Sequence, residues 1–257
     1  MKVNAESKSR TLFRLISPRV LMLCLALLLL CVGHLKAQVG EFRSDLAIGF
    51  NAGVALNSLS FDPSIKQKMH VGANAGLTVR YTCEKYFKTY CALQVELNYA
   101  QLGWKEDIFN SKSEPLPDTY VRHQHYVQLP FMARLAWGKE KQGFMGYLLA
   151  GPQVGFCVGE TSERSDTWTV GTDGNPDRPN NMYAQYDMPI EKKFDYGITA
   201  GVGVELSTRA GHILLEGRYY YALSDIYGNS KKDVFERSAH GTLMAKVSYL
   251  FGVGKKK

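Results

Sequence analysis

Four histidines carry the most suggestive chemistry in this chain. His70, His123, His125 and His240 each stand at or near the start of a segment of alternating apolar residues. His123 and His125 are two positions apart, so on an extended strand both imidazoles share one face. That spacing suits Zn²⁺ or Cu²⁺. The same imidazoles would serve as general bases for acyl transfer or lipid hydrolysis if a Ser or Asp stood beside one of them. No Gly-x-Ser-x-Gly elbow occurs, and no triad is singled out by spacing. His70 and His240 fall on one strand parity and His123 and His125 on the other, which speaks against one four-histidine site. The expectation is therefore hydrogen-bonded rim histidines, with no metal, no cofactor and no catalytic residue.

Two other sets could do chemistry. Cys83 and Cys91 flank 84–90, at the base of an expected hairpin where their Cβ atoms could come within disulfide distance. An oxidising compartment would favour that bridge, whose role would be structural. Cys157 reads as a small apolar filler. Asp166, Asp173, Asp177 and Asp187 gather carboxylates within 158–193, but without the regular acidic positions of a calcium loop. A solvated surface loop is expected there.

The elements that must position these residues are strands. No long stretch has helical periodicity, and strict alternation recurs instead. In 194–206, Phe194, Tyr196, Ile198, Ala200, Val202, Val204 and Leu206 oppose Asp195, Gly197, Thr199, Gly201, Gly203 and Glu205. The same pattern marks 45–57, 70–82, 91–102, 121–137, 212–223 and 241–251, and less cleanly 144–157, where Gly151-Pro152 suggests a bend or bulge. That makes eight strands. Their connections alternate between long (58–69, 103–120, 158–193, 224–239) and short (83–90, 138–143, 207–211). An up-and-down antiparallel barrel collects all long loops at one end, as transmembrane barrels do, with the termini and short turns periplasmic.

A soluble lipocalin-like carrier also has eight alternating strands, with the apolar face inside. Three features favour the membrane version. The polar face is rich in Gly, Asn, Ser and Thr, the strands suit a tilted bilayer crossing, and aromatics collect near strand ends. Those aromatics are Tyr81, Tyr99, Trp104, Trp137, Phe144, Phe194, Tyr249 and Phe251. The fold class expected is all-β, an eight-stranded up-and-down antiparallel transmembrane β-barrel. Ten charges fall on its inner face: Asp45, Arg80, Glu96, Arg122, Arg134, Asp195, Glu205, Glu216, Arg218 and Lys246. Five acids against five bases in a narrow lumen imply an ion-paired plug more than an ion path.

Composition agrees. The chain has 257 residues, 45% hydrophobic, and a formal net charge of +7. Much of that charge belongs to 1–37, where six basic residues and one acid precede and flank the run VLMLCLALLLLCVG. A basic start, an apolar stretch and Ala37 read as a secretory signal. The barrel domain is then 38–257, with a net charge of +2, three of its positives being Lys255, Lys256 and Lys257. No electrostatic case for nucleic acid is left. The expected partners are outer-membrane lipid and other envelope or secretion proteins, met through loops 103–120 and 158–193, where Trp104, Pro115, Pro117 and Trp168 lie.

Several stretches resemble the PorT-like outer-membrane barrels of the Bacteroidetes-type envelope. They are Glu96-Leu97-Asn98-Tyr99 followed by Gly103-Trp104, Tyr126-Val127-Gln128-Leu129-Pro130, Gly151-Pro152, Asp195-Tyr196-Gly197-Ile198, Ala200-Gly201-Val202-Gly203 and Glu216-Gly217-Arg218-Tyr219. The resemblance covers 42–251. It implies an eight-stranded barrel with surface loops and, through the founding member, an accessory role in type IX protein secretion. It brings no catalytic residue set. The second reading is an outer-membrane lipid-modifying enzyme of acyltransferase or lipase type, and the third is the soluble carrier.

Overall fold

The computed structural model describes residues 40–253, apart from 141, 172–173, 180–181 and 187. The expected export signal, Asp173, Asp187 and the terminal lysines lie outside the described residues. Among the described residues nine strands follow one another: β1 (Glu41–Asp62), β2 (Gln67–Lys68), β3 (His70–Tyr86), β4 (Thr89–Glu106), β5 (Tyr120–Gly138), β6 (Gly143–Arg164), β7 (Phe194–Ser207), β8 (His212–Ala222) and β9 (Arg237–Gly252). Eight of them pair antiparallel with their neighbours, and β1 pairs both β3 and β9, which closes the ring. Closure removes every long sheet edge. β2 is a two-residue addition that pairs only with the far end of β4.

Each expected strand is present, and several overshoot. β1 and β6 reach 22 residues, about twice what a tilted crossing needs. Most of the surplus of these two stands at the end where the long loops gather, here the loop end; the opposite one is the turn end. The apolar set faces out. Val54, Leu77, Leu97, Phe131, Leu148, Val202, Leu215 and Val247 are all exposed on the barrel exterior. A soluble carrier needs that set inside, so this alternative is overturned. Phe144, Trp137 and Phe251 are exposed towards the turn end and Tyr99 and Phe194 towards the loop end. Trp104 corrects the expected girdle, being fully buried. β4 continues to Glu106, so Trp104 keeps the inward parity of Glu96 and Asn98.

The interior has two apolar clusters with a charged layer between them. The smaller includes Tyr90, Met132, Met145, Tyr147 and Leu214. The larger includes Phe61, Trp104, Tyr120, Tyr126 and Tyr220 from strands, and Tyr186, Ile190, Ile226, Tyr227 and Phe235 from two loops folded inward. This corrects the expectation of a solvated 158–193. Its first seven residues extend β6, and the segment beyond supplies buried side chains. The physical reason lies in the overshoot, because inward aromatics above the charged layer need apolar cover.

Candidate functional site

The inner faces of seven strands, β3 to β9, converge on two carboxylate nodes. Glu96 accepts both guanidinium nitrogens of Arg218, at 2.9 and 2.6 Å, and the Lys246 ammonium at 2.6 Å. Gln94 and Asn98 donate to it at 2.9 Å each. Glu216 joins this node through Arg218, Gln94 and the Tyr147 hydroxyl. Glu205 is the second node and holds Arg80 at 2.6 Å, Arg134, and His212 Nδ1 at 2.7 Å. Arg134 also lies over the Tyr147 ring, 3.9 Å from its centre. Every carboxylate, guanidinium and ammonium group of the two nodes is buried. Such charges persist in a low dielectric only when paired and hydrogen-bonded.

Towards the loop end, Asp195 accepts hydrogen bonds from Tyr220 (2.8 Å) and Ser224, and Arg122 pairs with Glu160. Glu160 fell outside the expected set because it lies past the predicted end of its strand. Asp45 corrects that set in the other direction. It pairs in register with Thr82 and keeps the inward parity of Ala47 and Gly49, but it stands at the turn-end mouth of the barrel and is exposed there.

The cap above this layer is built around a cation. Arg178 is 2% exposed. It pairs with Asp118 at 3.0 Å, donates to the Tyr186 hydroxyl at 2.7 Å, and lies over the rings of Trp168 and Tyr186. Tyr186 in turn donates to Glu106 at 2.9 Å and packs edge-on against Tyr120. On β4 the apolar outer face ends at Tyr99 and Lys105 is exposed beyond it, so Glu106 stands clear of the membrane-spanning segment. Burial pushes its carboxyl up to about 7, against the opposing pull of Tyr186, Gln185 and Arg178. Loops 107–119 and 165–193 are laced together as well, through Ser111 to Asp177 and Thr169 to Asp118. Spacing could not reveal Arg178, Asp118 and Glu106 as a unit, because they come from two loops and a strand end.

The rim histidines separate differently from their parity. His70 Nε2 and His123 Nδ1 are 2.9 Å apart, and His123 Nε2 is 3.6 Å from Glu163. Gly103 stands opposite His123 on β4, with φ +140 and the Arg122 carbonyl so close that a side chain has no room there. His125 bonds and stacks on Tyr99, and His240 bonds Asn57 and lies edge-on to Tyr126. Among the described residues no group of three or more His, Cys, Asp or Glu could hold a metal.

Cys83 and Cys91, for which the spacing left a bridge open, are free thiols. The register shifts between Thr82 and Glu84, so Glu84 rather than Cys83 faces Cys91. At the turn end, Ser207, His212 and Glu205 form a cluster the sequence did not flag. Ser207 Oγ lies 3.1 Å and Glu205 2.7 Å from the same nitrogen, His212 Nδ1. A hydrolytic triad needs serine and acid on opposite ring nitrogens, and this cluster lacks that geometry.

A closed antiparallel ring with an apolar exterior and a charged, filled interior defines an integral outer-membrane-type barrel. The model of the outer membrane protein beta-barrel domain family matches residues 36–228, and the chain belongs to that family. It is similar to neisserial surface protein A, at 13% identity and a TM-score of 0.41, over 80% of this chain and 97% of that one. It is similar also to Ail, the attachment invasion locus protein of Yersinia pestis (12%, TM-score 0.33, 82% and 99%). For OprG from Pseudomonas aeruginosa the values are 12%, 0.37, 83% and 96%. No curated protein matches this chain.

Proposed function

We propose that this outer-membrane barrel is non-catalytic, acts through its loop end, and serves as an accessory of type IX protein secretion of the PorT-like kind. The long loops then face outward from the cell, and the short turns and both termini face the periplasm. The observation that carries the loop-end part is the cap, in which Arg178, Asp118 and Trp168 fasten two long loops into one ordered surface. Function gathers on loops held by a rigid scaffold. The paired charges that fill the lumen support a supporting role rather than solute passage. Loops 103–120 and 158–193 are the surfaces for envelope or secretion partners, and membrane lipid surrounds the strands.

The test is a gene deletion complemented in the source bacterium by wild type or by a variant lacking 166–189. Extracellular protease activity is expected to fall in the deletion strain and to return with wild type alone. Each form is checked for barrel folding by its heat-dependent gel shift. Unchanged secretion in the deletion strain would remove the secretion role. Full rescue by the folded loop variant would remove the role of the loop end.

A further inference from the structure

At the turn end the outer face carries a cleft of about 750 Å³ between the β5–β6 and β7–β8 turns. Its walls divide sharply by chemistry. Phe144 and Leu206, paired across β6 and β7, form an apolar side, with Phe144 70% exposed at the margin of the apolar band. Lys139 and Arg209 line the same cleft, and so do the polar side chains of Gln142 and Thr208. Among the described residues neither cation has a hydrogen-bond or ion-pair partner, and no carboxylate lines the cleft. The adjacent Glu140 is already engaged by Arg43 at 3.2 Å and the Tyr90 hydroxyl at 3.3 Å.

The turn is shaped to keep Lys139 in place. Gly138 has φ +139, where a side chain is strained. A Cβ on Gly143 would stand 2.7 Å from Lys139 Cβ, so the bare glycine leaves room for the lysine stem. Two unpaired cations beside an apolar, membrane-level wall match an anion joined to a hydrocarbon. We propose that this cleft binds an anionic phospholipid in the leaflet at the turn end. Lys139 and Arg209 take its phosphate, and Phe144 and Leu206 take the start of its acyl chains.

The test is native mass spectrometry of the full-length protein with phosphatidylglycerol, phosphatidylcholine and inorganic phosphate as probes. Each basic residue near a membrane surface contributes to anion binding, so Lys139→Gln with Arg209→Gln is expected to weaken phosphatidylglycerol binding about tenfold. Phosphatidylcholine, with no net charge, is expected to bind weakly and to be unaffected. Lys88→Gln, in the turn between β3 and β4, is the control for net charge and is expected to change nothing. The gel shift on heating confirms that each variant is folded. Unchanged phosphatidylglycerol binding in the double variant would overturn the site. An equal loss in Lys88→Gln would reduce it to general charge. Displacement by inorganic phosphate at matched concentration would assign the cations to free phosphate and overturn the lipid.

Discussion

Halfway along the barrel, Glu96 takes Arg218 and Lys246 onto one carboxylate, with every donor carried by a strand. At the loop end, Arg178 takes one carboxylate, one hydroxyl and two aromatic faces, all from loops. Both arrangements bury a cation, but they are held by different means. The lumen node sits on a lattice of backbone hydrogen bonds that closes around the ring, so none of its members moves unless the barrel does. The cap is held mainly by side chains, with scattered backbone bonds such as Ser165 N–H to the Thr119 carbonyl and Glu191 N–H to the Ile226 carbonyl in place of a continuous ladder, and its loops can part while the ring stays shut. The difference assigns rigidity to the middle and local opening to the loop end.

The comparison breaks most visibly at Glu96. Glu96→Leu leaves Lys246 with no ion-pair partner among the described residues, and Arg218 with only Glu216. Removing one member of a buried ion pair typically costs about 3–5 kcal/mol. That loss is expected in the whole-barrel unfolding midpoint, measured with urea in lipid vesicles. A loss below about 1 kcal/mol would mean that the lumen charges are hydrated rather than locked to one another.

Arg178→Met sharpens the other side. It removes the Asp118 pair, the Tyr186 hydrogen bond and the contacts with both rings, and keeps most of the volume. A desolvated cation–π contact contributes about 2 kcal/mol and a charged hydrogen bond about as much. The expected effect is a rise of ten- to a hundredfold in protease cleavage within 165–193, with barrel unfolding unchanged. If cap and barrel weaken together, the two regions form one cooperative unit and the distinction fails.

How much of this was legible follows from the same contrast. The strands of the ring were readable because a period of two writes itself into the residue types. Val202 and Val204 announce the lipid face and Glu205 the lumen. The same period misled at the ends. Trp104 was placed in the girdle because the segment was stopped at 102, and Asp45 was placed in the lumen because alternation gives a residue's face and not its depth, and Asp45 stands at the mouth. The question of Cys83 and Cys91 stayed open because a bulge, such as the one between Thr82 and Glu84, leaves no compositional mark. The cap was unreadable for a different one. Asp118 and Arg178 are 60 positions apart, on loops with no periodicity to align them.

The smallest expected effect concerns Glu106, and it separates cap from lumen by pH. Burial raises its carboxyl from 4.5 to about 7 in the closed cap, where Tyr186, Gln185 and Arg178 face it. Between those two values the closed cap binds more protons than the opened one. Its stability is therefore full below about 4.5 and declines as pH rises towards 7, the reverse of a salt-bridged carboxylate. Hydrogen exchange of 184–190, corrected for the intrinsic rate, is expected to show a cap roughly 2 kcal/mol harder to open at pH 5.5 than at pH 8. Glu106→Gln keeps an acceptor for the Tyr186 hydroxyl and carries no charge, so it is expected to flatten that dependence and to hold the cap closed at pH 8. The lumen nodes are balanced by fixed cations and give the strands no reason to follow. A pH response that persists in Glu106→Gln, or one of equal size in the strand amides around Glu96, would place the titration elsewhere and remove the independence claimed for the cap.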